Sequence, residues 1–254
     1  MVNSAAFTRW TLETDSYNAK TLYAPAAGLS DNYSVGNVQV ETDLDLKLTT
    51  AKGALTLHNA SADKGNGNFV SKKSGESIVV AGVEFGDAAN SLTLIGQGNI
   101  GAITVTTSDA EGIVNVGYGE NAGNVTVKGT KDAPAGIGTS ATDAVKELNL
   151  AKGSSLVVEH GNVFTNNFNM LEGSSANVNG DITTSALQVL GNSLTANKLT
   201  IRDASSASYA AKNAIAGGAN VNLTELSLGK YNALLVGESG DGTPENLGSS
   251  AKVY

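Results

Sequence analysis

The stretch Leu148-Asn-Leu150-Ala-Lys-Gly153-Ser-Ser-Leu156-Val-Val158 constrains the fold more than any other part of the chain. Leu148 and Leu150 alternate with Asn149, which puts both leucines on one face of a strand. Lys152-Gly153-Ser154-Ser155 is turn composition. Leu156 and Val158 then place apolar groups on one face again. Twenty residues later the phrase returns as Phe168-Asn-Met170-Leu-Glu-Gly173-Ser-Ser-Ala176-Asn-Val178. Gly153 maps onto Gly173, Ser154-Ser155 onto Ser174-Ser175, Leu156 onto Ala176 and Val158 onto Val178. A strand–turn–strand phrase at a short period predicts a solenoid, one coil per repeat.

The beat extends both ways. Val38 and Val40 form one pair, and Leu44, Leu46 and Leu48 alternate with Asp45 and Lys47. Leu55 and Leu57 follow the turn Ala51-Lys52-Gly53. Ile78 and Val80, Val83 and Phe85, Leu92 and Leu94, Ile103 and Val105, and Val125 and Val127 continue it. Beyond Val178 come Ile182, Leu187 and Val189, Leu194, Leu199 and Ile201, then Val221 and Leu223, Leu226 and Leu228, and Leu234 and Val236. The steps Val80 to Val105, Val105 to Val127 and Val127 to Leu150 all span between twenty-two and twenty-five residues. The expected fold is therefore all-β: a parallel β-helix, right-handed by the usual preference, with coils of about 20–25 residues. A lone coil of that length loses more backbone entropy than about five or six buried aliphatic side chains offset, so coils must stack. A β-sandwich also has short strands and frequent turns, but the repeated Gly-Ser-Ser phrase favours the solenoid.

Three stretches interrupt the beat. Residues 59–76 are polar and glycine-rich and read as a looped insertion around Phe69-Val70. Residues 131–142 form a second excursion, after which Thr142-Asp-Ala-Val-Lys-Glu147 has the composition of one helical turn. Residues 203–220 form a third, in which Ser205–Ile215 is the best helix candidate, stopped by Gly217-Gly218. Residues 1–36 hold the only tryptophan, Trp10, with Tyr17 and Tyr23 nearby, and read as an N-terminal cap over the open end of the stack. A Trp/Tyr sugar platform is the functional alternative there. Residues 37–254 form the stack. The opening Met1-Val-Asn-Ser lacks a signal pattern and no closing cap follows Val236, so the chain reads as a piece of a longer protein.

Thirty glycines and three prolines suit many turns between short strands. Aromatics make up only 5%, which suits a narrow interior of stacked Val, Leu and Ile. The net charge of -8 argues against a nucleic-acid partner and an anionic membrane surface, both of which need dense Lys and Arg. No apolar run reaches transmembrane length, so direct membrane insertion is not expected. With no cysteine, disulfides and thiolate zinc sites are excluded.

Candidate chemistry is sparse. The two histidines, His58 and His160, each follow an apolar pair and read as solvated turn residues. Neither has metal-ligand spacing. Gly153-Ser154-Ser155 and Gly173-Ser174-Ser175 lack the nucleophile-elbow pattern around them. Asp43 and Asp45 alternate with Leu44 and Leu46, so they share an outer face about 7 Å apart. That spacing suits acid–base work or one calcium ion, yet no arginine lies near them to hold a uronate. Gly86-Asp87, Gly180-Asp181 and Gly240-Asp-Gly242 are acidic turns without the repeated nonapeptide that loads calcium. Gly96-Gln-Gly98 and Gly117-Tyr-Gly119 read as turns. No catalytic or cofactor residue is assigned, no specific motif supports calcium, and the metal- and ligand-binding residues stay open.

The phrase Leu-x-Leu-x-x-Gly-Ser-Ser-Leu-x-Val, followed by Asn179-Gly-Asp-Ile182, resembles the passenger regions of bacterial autotransporters and related large β-helical surface proteins, over roughly residues 37–236. The resemblance implies a right-handed parallel β-helix outside a bacterial cell, acting in adhesion, aggregation or host contact. The implied partner is a glycan or protein of a host or neighbouring cell, with specificity in the three excursions. Surface-layer proteins share the acidic, cysteine-free composition, which makes a self-assembling module the second expectation. A polysaccharide-processing enzyme is the third.

Overall fold

A computed structural model describes residues 10–12, 21–23, 32–36, 38–40, 44–48, 53–58, 69–72, 79–85, 90–106, 112–204, 213–238 and 252–253. Among them there are strands and no helix. Every strand ladder is parallel. Nineteen strands join one closed parallel barrel, and Trp10–Leu12, Val38–Val40 and Val70–Lys72 form a separate three-stranded sheet. The set closes because several strands turn corners without losing their hydrogen bonds. Asn90–Val105, the longest, pairs with Gly53–His58 through its first residues, with Gly123–Val127 through its middle and with Val79–Phe85 through its end.

The registers sort into three ladders. In the first, Leu55, Leu92, Val114, Leu148, Phe168 and Leu187 stand in one column, followed one step over by Val189, Ile215 and Val236. In the second, Gly98, Val125, Leu156, Ala176, Leu194 and Val221 align. In the third, Val83, Ile103, Ile137, Val163, Ile182, Leu199 and Leu226 align, the two contacts of Ile137 being isolated bridges. Most residues in these columns point inward and are buried. Their strands alternate buried and half-buried or exposed residues, as at Ile113–Val116 and Gly123–Val127, because successive side chains leave a strand on opposite faces.

The turn phrase behaves as its composition dictates. Gly153 and Gly173 have φ of 68° and 73°, a region that glycine enters without a Cβ clash. The serine after each is buried. Ser174 Oγ donates to the Leu171 carbonyl at 2.6 Å, and Ser154 Oγ accepts from the Gly123 N–H at 3.0 Å. Inward threonines at another corner satisfy themselves in the same local way. Thr165 Oγ1 donates to the Asn167 carbonyl and Thr184 Oγ1 to the Ala186 carbonyl, each at 2.8 Å.

Several expectations need correcting. The returns are not confined to about 20–25 residues. Ile182 meets Leu199 seventeen residues on, whereas Leu55 meets Leu92 thirty-seven residues on. Register depends only on the inward residues, so turns can lengthen freely. The 59–76 stretch carries a ladder strand, Val70–Lys72, and a buried Phe69. The 131–142 stretch carries Ile137, which is fully buried. Gly136 and Gly138 flank it, and these three residues act as a one-residue strand. The Ile103 N–H donates to the Gly136 carbonyl at 2.9 Å and the Gly138 N–H to the Ile103 carbonyl at 2.8 Å. On the other side, the Ile137 N–H donates to the Asn162 carbonyl and the Phe164 N–H to the Ile137 carbonyl.

The expected helical turn at Thr142–Glu147 is a bend leading into the strand Val145–Leu150, because Val145 is drawn into the core. Ser140 Oγ closes that bend by accepting from the Thr142 and Asp143 N–H groups. The end of the 203–220 helix candidate is the strand Ala214–Ala216, with Ile215 buried; residues 205–212 lie outside the described residues. Gly96-Gln97-Gly98 is a corner inside a continuous strand. Its Gly98 faces the Phe69 ring, where a Cβ would lie 2.0 Å from Cζ.

Candidate binding groove

The outward residues of the three ladders differ in chemistry. On the first ladder a polar column runs Thr93, Asn115, Asn149, Asn169. Asn115 Nδ2 donates to Thr93 Oγ1 at 3.0 Å, Asn149 Nδ2 to Asn115 Oδ1 at 3.0 Å, and Asn169 Nδ2 to Asn149 Oδ1 at 2.8 Å. These amides are engaged with one another. On the third ladder one outward column, Asp181, Lys198, Glu225, alternates in charge, beside a second column of hydroxyls, Thr183, Thr200, Ser227. Lys198 and Glu225 are ion-paired at 2.5 Å.

The second ladder presents neither pattern. Its outward column runs Val157, Asn177, Thr195, Asn222 across four consecutive strands and carries no charge. Beyond it the chain turns toward the third ladder, and that corner raises a wall of His160, Asn179, Asn197 and Thr224. Between column and wall lie two open concavities that meet at Asn177 and Asn179. One, of about 390 Å³, is lined by Gly129, Thr130, Lys131, Val157, Glu159, His160, Asn177 and Asn179. The other, of about 380 Å³, is lined by Asn177, Asn179, Thr195, Asn197, Asn222 and Thr224. Together they form a groove that crosses the strands.

The corner that raises this wall is built on glycine. A Cβ on Gly180 would lie 2.0 Å from the Gly161 carbonyl oxygen, and one on Gly129 would lie 2.5 Å from the His160 carbonyl oxygen. Only bare backbone lets successive rounds close there. Asn162 Oδ1 accepts from the Asp181 N–H at 2.9 Å and ties two rounds together. Charge enters the groove at one end, through Lys131 and the Lys128–Glu159 ion pair. Asn177, Asn179, Asn197 and Asn222 are exposed, and Val157 offers a half-buried apolar patch on the floor. An amide donates and accepts at once, so the floor and wall suit a ligand with groups that do both.

Of the residues weighed from sequence, His160 belongs to this groove. It is half-buried in a bend, and its Nδ1 lies 3.3 Å from Asn179 Nδ2. His58 and Asp45 are placed by backbone alone, in the strands Gly53–His58 and Leu44–Leu48; their side chains and Asp43 lie outside the described residues. So do Gly86-Asp87 and Gly240-Asp-Gly242, and the Trp10 side chain. Asp181 is exposed. No group of three His, Asp or Glu side chains converges among the described residues. Of the three excursions, the described residues bring only Lys131 to the groove. Its floor comes instead from outward strand positions that the sequence reading did not single out. The signal was present as polar residues alternating with the core residues Val178, Leu194 and Val221.

Arg202 makes a clamp elsewhere. Its guanidinium donates to the Ala141 carbonyl and to Asn166 Oδ1, on two earlier rounds, and burial lowers its pKa. Its Nε is buried without a hydrogen-bond partner.

No family description, curated protein or solved structure matches this chain.

Proposed function

We propose that the closed parallel network is a three-faced, right-handed β-helix in which each return to a ladder is one coil. We further propose that it is a non-catalytic module of a bacterial cell-surface protein of the autotransporter-passenger kind, working outside the cell in adhesion, aggregation or host contact. The helical reading is supported by the ladder order: between residues 90 and 201 strands pair with a counterpart one return earlier and another one return later. The right hand rests on the general preference of parallel crossovers. One observation carries the functional reading. The second ladder lines up exposed or half-buried, uncharged amide and hydroxyl side chains along a groove that crosses four strands. A rigid scaffold with a repeated polar face suits holding an extended partner from another surface.

The test is adhesion of beads coated with the chain to bacterial and host cells. Adhesion that soluble chain competes away is the expected result. Beads that stay free on every cell type would overturn it. Product release from a polysaccharide, abolished by Asp43→Asn or Asp45→Asn, would replace adhesion with catalysis.

A specific feature favours self-assembly as a second reading. Leu226 and Leu228 stand in register with the buried Leu199 and Ile201, yet they are 40% and 45% exposed. Among the described residues no later strand pairs with Leu226–Leu228, and core positions on such an edge invite another strand. Light scattering against protein concentration separates the readings. Particles that stay single favour adhesion, and filaments or sheets that Leu228→Lys disperses favour the lattice.

A further inference from the structure

We infer that the groove holds a linear, uncharged polysaccharide laid along the stack, about one sugar ring per strand. The inference rests on the adhesion reading and names its ligand class. Four observations lead to it. The floor column Val157, Asn177, Thr195, Asn222 repeats at the strand spacing, about 4.8 Å. An extended chain of pyranose rings repeats at a similar length. The four floor strands therefore match about four rings.

The lining chemistry is that of hydroxyl recognition. Asn177, Asn179, Asn197 and Asn222 each present a donor and an acceptor, and a sugar hydroxyl is both. Val157 offers apolar contact to the C–H face of a ring. Charge lies only at the Lys131 end, so a polyanion would find no row of cations to pair with. An extended peptide is disfavoured because it binds through backbone edges, and the backbone of these strands is already paired in the ladder.

The other two outer faces do not offer the same surface. The first ladder's amides bond one another, and on the third ladder the short hydroxyls Thr183, Thr200 and Ser227 stand beside the charged column Asp181, Lys198, Glu225, with no amide among them. No aromatic platform lies in the groove, so each ring adds little and affinity must accumulate along the chain.

The experiment is calorimetric titration of the full chain with oligomers of β-1,4-linked glucose, mannose, xylose and N-acetylglucosamine, at two, four and six rings. Polygalacturonate and heparin serve as polyanions. At least one neutral series should bind, with affinity rising about tenfold from two to four rings and little beyond. Asn177→Ala combined with Asn197→Ala should lower that affinity about tenfold, the loss expected of two hydrogen-bonding side chains. Gln188→Ala, an exposed position on the first ladder, should leave it unchanged. The inference is overturned if no neutral series binds, if the polyanions bind instead, or if the double variant binds as well as the parent. Bead adhesion separates the two claims. Adhesion without glycan binding sinks this inference alone, whereas glycan binding without adhesion sinks the adhesion reading alone.

Discussion

The returns between residues 145 and 201 and the single return between 113 and 144 solve one problem in two ways. In the first region each ladder is met again after seventeen to twenty residues, and every face is served by a strand of at least three residues. The turn at Gly153 is open, unlike the crowded corner at Gly180 in the same region. A Cβ on Gly153 would meet nothing within 4 Å. In the second region the chain takes thirty-four residues from Val114 to Leu148, and the third face is served by Ile137 alone. There the flanking backbone is crowded, and a Cβ on Gly136 would lie 2.1 Å from the Asn162 carbonyl oxygen. What a face requires is one inward apolar residue and the two backbone groups that neighbouring rounds need. Strand length and loop length are free to vary around that minimum.

The contrast can be broken at several points. The largest effect should come from emptying the core in each region. Phe168→Ala should cost about 3–5 kcal/mol and Ile137→Ala about 2–5 kcal/mol, measured by urea unfolding with both slopes compared. An Ile137→Ala cost below about 1 kcal/mol would reduce the one-residue strand to decoration. Gly136→Ala should come next, at about 1–3 kcal/mol, because carbonyl backbone must shift to admit the methyl. Hydrogen exchange at the Ile137 and Phe164 amides should quicken in that variant, and unchanged protection there would contradict the crowding argument.

Asn149→Ala removes the middle amide of the column on the first ladder and strands Asn115 Oδ1 and Asn169 Nδ2. With water available at this face, about 1 kcal/mol is expected. A loss several times larger would mean that the column acts as one unit. Gly153→Asn should have the smallest effect, a few tenths of a kcal/mol, since asparagine tolerates positive φ and the space is open. A loss as large as that of Gly136→Ala would erase the difference between the two kinds of corner.

Much of the fold was legible because alternation is local. Leu148, Leu150, Leu156 and Val158 declare their inward face within their own strands, and Gly153 and Gly173 mark the turns by need of positive φ. Ile137 was not legible, since a lone isoleucine between glycines has no alternation to read. Val145 was misread for the opposite reason: its neighbours have helical composition, but core burial outweighs local propensity. The groove was the least legible. Asn177, Thr195 and Asn222 are eighteen and twenty-seven residues apart in sequence, and nothing local says they share a column.

By itself, then, the sequence determined a strand-rich chain, most of its inward residues and its turn glycines, because a strand's two faces are set by a period of two. Only the tertiary structure decided which strands became neighbours, how long each return is, and which outward side chains stand side by side. Register is chosen where apolar columns meet across seventeen or more residues, and the outward groups are carried into alignment by that choice.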